Sequence, residues 1–124
     1  MTPIRVLLVE DEFLIRLVLA EVLRDEGFEV MEAEDGSQAV AVIEGLDDFD
    51  LLLTDVQMPG PVDGIQVAVR ARQRDPHVPV IVVSARPDSA RRLDGLASRS
   101  IFVAKPYDLH ALVRTIRHML EAKA

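Results

Sequence analysis

Short apolar runs rich in β-branched residues recur at Ile4–Val9, Glu29–Ala33, Leu51–Thr54, Val80–Val83 and Ile101–Ala104, with intervening segments long enough for helices. The alternation predicts five strands and five helices. Val80-Ile81-Val82-Val83 is apolar without a break, as expected of a parallel strand covered on both faces. Glu29-Val30-Met31-Glu32-Ala33 alternates instead, which places the second strand at an edge.

The helical segments carry their own signals. Leu109, Leu112, Val113, Ile116, Met119 and Leu120 form one apolar stripe on the last helix, with Asp108 placed to cap it. The first helix is predicted from about Phe13 to Glu26, stopped by Gly27, with Leu14, Leu17, Val18 and Leu19 as its apolar side. Asp35-Gly36-Ser37-Gln38 and Asp63-Gly64-Ile65-Gln66 each set an acid three residues before a glutamine, a capping-box pattern for the second and third helices. Pro87, Gly95 and the polar stretch Ala97-Ser98-Arg99-Ser100 leave the fourth helix short or irregular, around Asp88 to Leu96.

Crossovers of one hand then give a doubly wound α/β fold, a five-stranded parallel sheet of order 2-1-3-4-5. Its chemistry sits where the apolar runs end. Glu10 and Asp11 follow the first strand, Asp55 the third and Lys105 the fifth, and in such sheets the carboxyl ends of the strands share the ligand-binding rim. Three carboxylates gathered there repel one another unless a hard, oxygen-seeking cation such as Mg²⁺ sits among them. Lys105 adds a further positive charge, so the rim reads as a phosphoryl-handling site.

Composition narrows the setting. A chain of 124 residues, 49% hydrophobic and 28% charged, fits one domain, taken as residues 1–124. The absence of cysteine excludes disulfides, thiolate catalysis and thiolate metal sites. No apolar run reaches the roughly 18 residues of a membrane span, and Met1-Thr2-Pro3-Ile4-Arg5 has no signal-peptide layout, so a cytoplasmic protein without membrane insertion is expected. The net charge of −7 hides an asymmetry: residues 1–63 hold sixteen acids against three bases, and residues 64–124 five against eleven. This argues against direct nucleic-acid binding. Arg86, Arg91, Arg92, Arg99, Arg114 and Arg117 form either a basic face for an acidic partner or a solvated set of charges.

The motifs VLLVEDE at Val6–Glu12, LLLTDVQMP at Leu51–Pro59, DG at Asp63-Gly64, VSA at Val83–Ala85 and VAKPY at Val103–Tyr107 stand in order across nearly the whole chain. Together they resemble the receiver domain of two-component response regulators, a flavodoxin-like, chemotaxis-regulator-like fold. The resemblance implies that Asp55 is the phosphoacceptor, a carboxylate nucleophile phosphorylated by a histidine kinase or phosphotransfer protein. It implies Mg²⁺ as cofactor, held by Asp11, Asp55 and the backbone carbonyl of Gln57, with Glu10 as the partner acid. Lys105 is matched to the lysine that meets the phosphoryl oxygens, Ser84 to the switch hydroxyl beside the small Ala85, and Phe102 to the switch aromatic. A cis bond between Lys105 and Pro106 is implied as well.

Taken singly, these residues have plainer explanations. Glu10, Asp11 and Glu12 complement the dipole of the helix they precede, Asp55 is a turn former, Ser84 a strand-end hydroxyl, Lys105 a solvated cation and Phe102 core. Three features depart from the family pattern: a Met58–Gly64 loop one residue longer with two prolines, a weak fourth helix without the usual Gly-Ala pair before strand five, and a switch aromatic lacking a hydroxyl. Gln57 and Arg86 occupy positions that tune phosphoryl lifetime in such domains.

The expectation is a phosphorylation-regulated signalling domain, not a turnover enzyme. It acts on a downstream protein through the fourth helix, fifth strand and fifth helix, a surface also suited to a homodimer. With no output domain after Ala124, it is either a stand-alone regulator or phosphorelay intermediate, or a receiver cut from a larger regulator or hybrid kinase. Two other readings compete: a Mg²⁺-dependent phosphatase with an aspartyl intermediate, opposed by Gln57 where such enzymes carry a second aspartate, and a pseudo-receiver that binds without phosphorylation. Nucleotide binding ranks below both, because no Gly-rich turn follows the first strand.

Overall fold

The computed structural model describes residues 3–45, 47–96 and 98–121. Ala97, within the polar stretch before the fifth strand, lies outside them, as do both chain ends. Five strands, β1 (Arg5–Val9), β2 (Glu29–Ala33), β3 (Leu51–Asp55), β4 (Val80–Ser84) and β5 (Ser100–Ala104), pair in parallel in the order β2-β1-β3-β4-β5. Four α-helices connect or follow them, α1 (Phe13–Asp25), α2 (Gly36–Glu44), α3 (Gly64–Arg74) and α4 (Leu109–Glu121), and a 3-10 helix spans Pro87–Gly95. The predicted topology and the edge placement of β2 are what the structure has.

Strand alternation sorts the core into two layers. Leu7, Val9, Leu52, Val80 and Val82 face α2, α3 and the 3-10 helix, whereas Val6, Leu8, Leu51, Leu53, Ile81 and Val83 face α1 and α4. β1, β3 and β4 are covered on both sides, so burial of each Leu or Ile there contributes about 1.5–3 kcal/mol.

The helix ends follow the sequence signals. α1 closes in a Schellman turn: Gly27 takes φ +97°, Phe28 N–H donates to Leu23 O at 3.1 Å and Gly27 N–H to Arg24 O at 3.0 Å. Asp63 and Gln66 make a reciprocal capping box at α3. At α2 the box is opened: Asp35 caps Gln38 N–H at 2.8 Å, but the Gln38 side chain accepts from Glu34 N–H at 3.0 Å. On α4 the predicted stripe buries Leu112, Val113, Ile116 and Met119, and Asp108 accepts from Ala111 N–H at 3.0 Å.

One expectation is corrected. The buried face of α1 is Leu19, Ala20 and Leu23; Leu14, Leu17 and Val18 are 71%, 39% and 47% exposed. The first half of α1 is apolar around most of its circumference, so periodicity alone does not choose a side. The fourth helix, expected to be short or irregular around Asp88 to Leu96, is a 3-10 helix: Pro87 opens it and the apolar residues Ala90, Leu93 and Leu96 recur every third position, the 3-10 repeat. Leu96 is buried against the α3 side of the sheet.

Candidate functional site

The rim residues come together as the register dictates. Asp55 ends β3, Glu10 follows β1 and Lys105 follows β5, each in phase with residues facing α1 and α4. Glu10 is 3% exposed and Asp55 6%, while Asp11 is half-buried. One carboxylate oxygen from each of the three acids lies within 4.8 Å of the others. Lys105 Nζ donates to Asp55 Oδ2 at 3.1 Å and stands 3.7 Å from Glu10 Oε1. The Lys105–Pro106 peptide is cis.

This crowding moves the titrations. Burial, reinforced by the charge of Asp55, raises the Glu10 carboxyl to about 7 against the pull of the Glu12 N–H and of Lys105. Asp55 is also raised, by burial first and by Asp11, with Lys105 opposing. Burial would lower Lys105, but the charge and hydrogen bond of Asp55 together with Glu10 outweigh it and raise the ammonium. An all-oxygen donor set in which Glu10 and Asp55 resist ionising fits a hard divalent cation.

Ser84 and Phe102, which the family resemblance matches to switch positions, lie on the other side of the sheet. Ser84, fully buried and in phase with Val82, faces the 3-10 helix and donates to Gln57 Oε1 at 2.7 Å. Its Oγ also stands 3.1 Å from Ser89 Oγ and accepts from Arg86 N–H at 3.0 Å. Phe102 pairs with Val82 and is half-buried; among the described residues neither core layer includes it, so the core reading of Phe102 does not hold. Gln57 and Arg86, with Asp11, Met58, Asp63 and Arg92, line an open cleft of about 470 Å³ beside the acids.

Several contributors were not read from the sequence. Arg16 donates to the Glu10 carbonyl at 2.9 Å and pairs with Glu32, fixing the turn that carries Glu10 and Asp11. Tyr107 lines a small cavity together with Glu10 and Asp55, and its hydroxyl is raised by burial and by the charge of Glu10. Ser89 belonged to no motif. Of the six arginines read as a basic face, Arg92 pairs with Asp63, Arg117 with Glu26, and Arg99 donates to the carbonyls of His77 and Met119.

The family model described as response regulator receiver domain matches residues 6–117. The chain belongs to this family. This receiver domain is 36% identical over 117 residues to the uncharacterized transcriptional regulatory protein YbdJ of Bacillus subtilis, covering 94% of the chain and 51% of that protein. It is 40% identical over 117 residues to the transcriptional regulatory protein PdtaR of Mycobacterium tuberculosis, covering 92% of the chain and 55% of the relative. The chain therefore spans about half the length of these curated relatives. Among solved structures, a response regulator receiver protein from Sinorhizobium medicae superposes with a TM-score of 0.90 at 28% identity, covering 98% of both chains. The receiver domain is thus a part of two-component signalling, and no helix among its described residues is long and apolar enough to cross a membrane.

Proposed function

We propose that Asp55 accepts a phosphoryl group from a phosphohistidine on a histidine kinase or phosphotransfer protein, and that the change is read at the 3-10 helix, β5 and α4. The observation that carries this reading is Lys105 Nζ at 3.1 Å from Asp55, inside a cluster of three carboxylates at the strand ends. Glu10, Asp11, Asp55 and the main-chain carbonyl of Gln57 are the residues to hold Mg²⁺, which when bound offsets the negative charge of the carboxylate and of the incoming phosphoryl oxygens.

An Asp55 carboxylate oxygen attacks phosphorus as the bond to the donor imidazole nitrogen breaks, and that bond's electron pair leaves with the imidazole. Lys105, already charged and aimed at Asp55, turns its ammonium to a phosphoryl oxygen. Ser84 gives its single hydroxyl proton to another. The added charge of about −1.5 to −2 biases the two-state surface beyond β4 and β5. Ile101, 36% exposed, borders a cleft of about 490 Å³ with Arg114 and His118, a setting suited to a downstream protein or a second copy of the chain. The phosphatase reading is disfavoured because the Gln57 amide, where such enzymes carry a second aspartate, does not serve as a general acid or base and is tied to Ser84 and Ser89.

Incubation with acetyl phosphate and Mg²⁺ followed by intact-mass measurement tests the reading. One phosphoryl group is expected on the wild type and none on Asp55→Ala. Equal addition to both, or none to the wild type, rejects it.

A further inference from the structure

Three side chains beyond the acid cluster close a ring. Ser84 Oγ donates to Gln57 Oε1 at 2.7 Å, Gln57 Nε2 donates to Ser89 Oγ at 3.2 Å, and the two serine hydroxyls meet at 3.1 Å. A hydroxyl has one proton. Since that of Ser84 goes to Gln57, the proton between the serines comes from Ser89, and every bond of the ring runs in one direction. Ser84 and Ser89 are 0% and 4% exposed, so water does not compete for these bonds.

From this ring we infer that Ser89 is a positioning residue, a latch that holds the Ser84 hydroxyl away from Asp55 and transmits its release to the 3-10 helix. The inference rests on the reading of Asp55 as phosphoacceptor. Ser84 cannot serve Gln57 and a phosphoryl oxygen with the same proton. Once that proton goes to the phosphoryl group, Gln57 Oε1 loses its donor and the ring opens. Ser89 sits in the first turn of the 3-10 helix, where its N–H donates to Arg86 O at 3.1 Å, and its hydroxyl is then freed to re-pair. A segment that packs on the sheet through Leu93 and Leu96 loses the Ser89 tie to β4. The 3-10 helix therefore loosens on phosphorylation, and the latch opposes the phosphorylated state.

The test compares wild type, Ser89→Ala, Ser84→Ala and the double variant for affinity to beryllofluoride with Mg²⁺, beside the intact-mass assay and amide hydrogen exchange over Pro87–Gly95. Ser89→Ala removes both ring bonds of that hydroxyl, but only the one to Ser84 is broken when Ser84 turns to the phosphoryl group, so its loss from the resting state predicts that Ser89→Ala binds beryllofluoride about 2- to 12-fold more tightly. Its 87–95 amides already exchange as fast as those of the beryllofluoride-bound wild type. In the Ser84→Ala background, Ser89→Ala changes affinity no further, whereas a purely structural effect persists there. Gln57→Met, which keeps the main-chain carbonyl and removes the amide, opens the ring from its other side and shifts exchange over 87–95 the same way. Unchanged or weaker beryllofluoride binding by Ser89→Ala, in proteins that still gain phosphoryl mass, overturns the latch alone. Absence of mass gain on the wild type overturns the phosphoacceptor reading and the latch with it.

Discussion

The Cα of Gly64 is pressed against the main-chain carbonyl of Asp55, and any Cβ at Gly64 would overlap that carbonyl. Gly64 N–H also donates to Val56 O at 3.0 Å, so the first residue of α3 is seated on the backbone that carries the proposed phosphoacceptor. The clashing atoms are main chain at the end of β3, where Asp55 pairs with Val83 of β4, and cannot swing aside as a flexible side chain would. Gly64→Ala is expected to destabilise the fold by about 1–3 kcal/mol, an overpacking cost, and to lower phosphoryl uptake by displacing the end of β3. Urea unfolding checks the first part and intact mass the second. An unshifted midpoint would mean that α3 moves freely relative to β3.

Asp63 has two jobs of unequal weight. It caps Gln66 N–H at 3.0 Å as part of the box, and it pairs with Arg92 Nη2 at 2.7 Å on an exposed face. A cap is worth about 1 kcal/mol and an exposed ion pair about 0–1. Asp63→Ala should therefore lose about 1 kcal/mol, whereas Asp63→Asn, which caps as well but lacks the charge, should stay within about 0.5 kcal/mol of wild type. Thermal unfolding of the two variants beside Arg92→Ala ranks the effects; equal losses for Asn and Ala would make the ion pair the larger.

What the sequence makes legible is set by which interactions are local. Strand runs, helix stripes and capping acids repeat at fixed spacings, so β1 to β5, α4 and the α3 box can be read without a structure. Topology then brings Glu10, Asp11, Asp55 and Lys105 to one rim. The inward face of α1 is not legible, because Leu14, Leu17 and Val18 are as apolar as the Leu19 and Leu23 that pack. Nor is the Gln57–Ser84–Ser89 ring, whose longest link joins residues 32 apart. Gly64 reads as part of a helix start, while its contact with Asp55 depends on how α3 is laid over the sheet.

Lys105 is the cation nearest Asp55 and Glu10 in the hydrogen-bond and ion-pair pattern, and both acids are almost fully buried. Lys105→Met leaves them facing each other without a counter-charge. A loss of about 1–3 kcal/mol is expected at pH 8 without metal, less than the roughly 3–5 of a fully buried broken pair because a carboxyl can take up a proton. The deficit should shrink at pH 5, where Glu10 is protonated, and shrink again with millimolar Mg²⁺ at pH 8. A deficit equal under all three conditions would trace it to lost packing of the lysine stem.

The same cluster sets a pH dependence whose sign is fixed by Glu10, which faces Asp11, Asp55, Lys105 and Tyr107. Its carboxyl is raised from 4.5 to about 7, so between those values the folded chain binds a proton that the unfolded chain has released. The Glu10 contribution to the stability of the metal-free protein therefore falls as pH rises through this window, by about 1–3 kcal/mol, and is constant below it. The raised Asp55 acts in the same direction, and the raised Lys105 matters only above its ordinary value of 10.5. Mg²⁺ requires the ionised acids, so its affinity should climb about tenfold per pH unit below 7 and level off above, with one proton released on binding. Urea unfolding in chelator at pH 5 and pH 8, and Mg²⁺ titration by calorimetry in buffers of different ionisation enthalpy, measure the two halves. Glu10→Gln should flatten both profiles; if it flattens neither, the titrating group is Asp55.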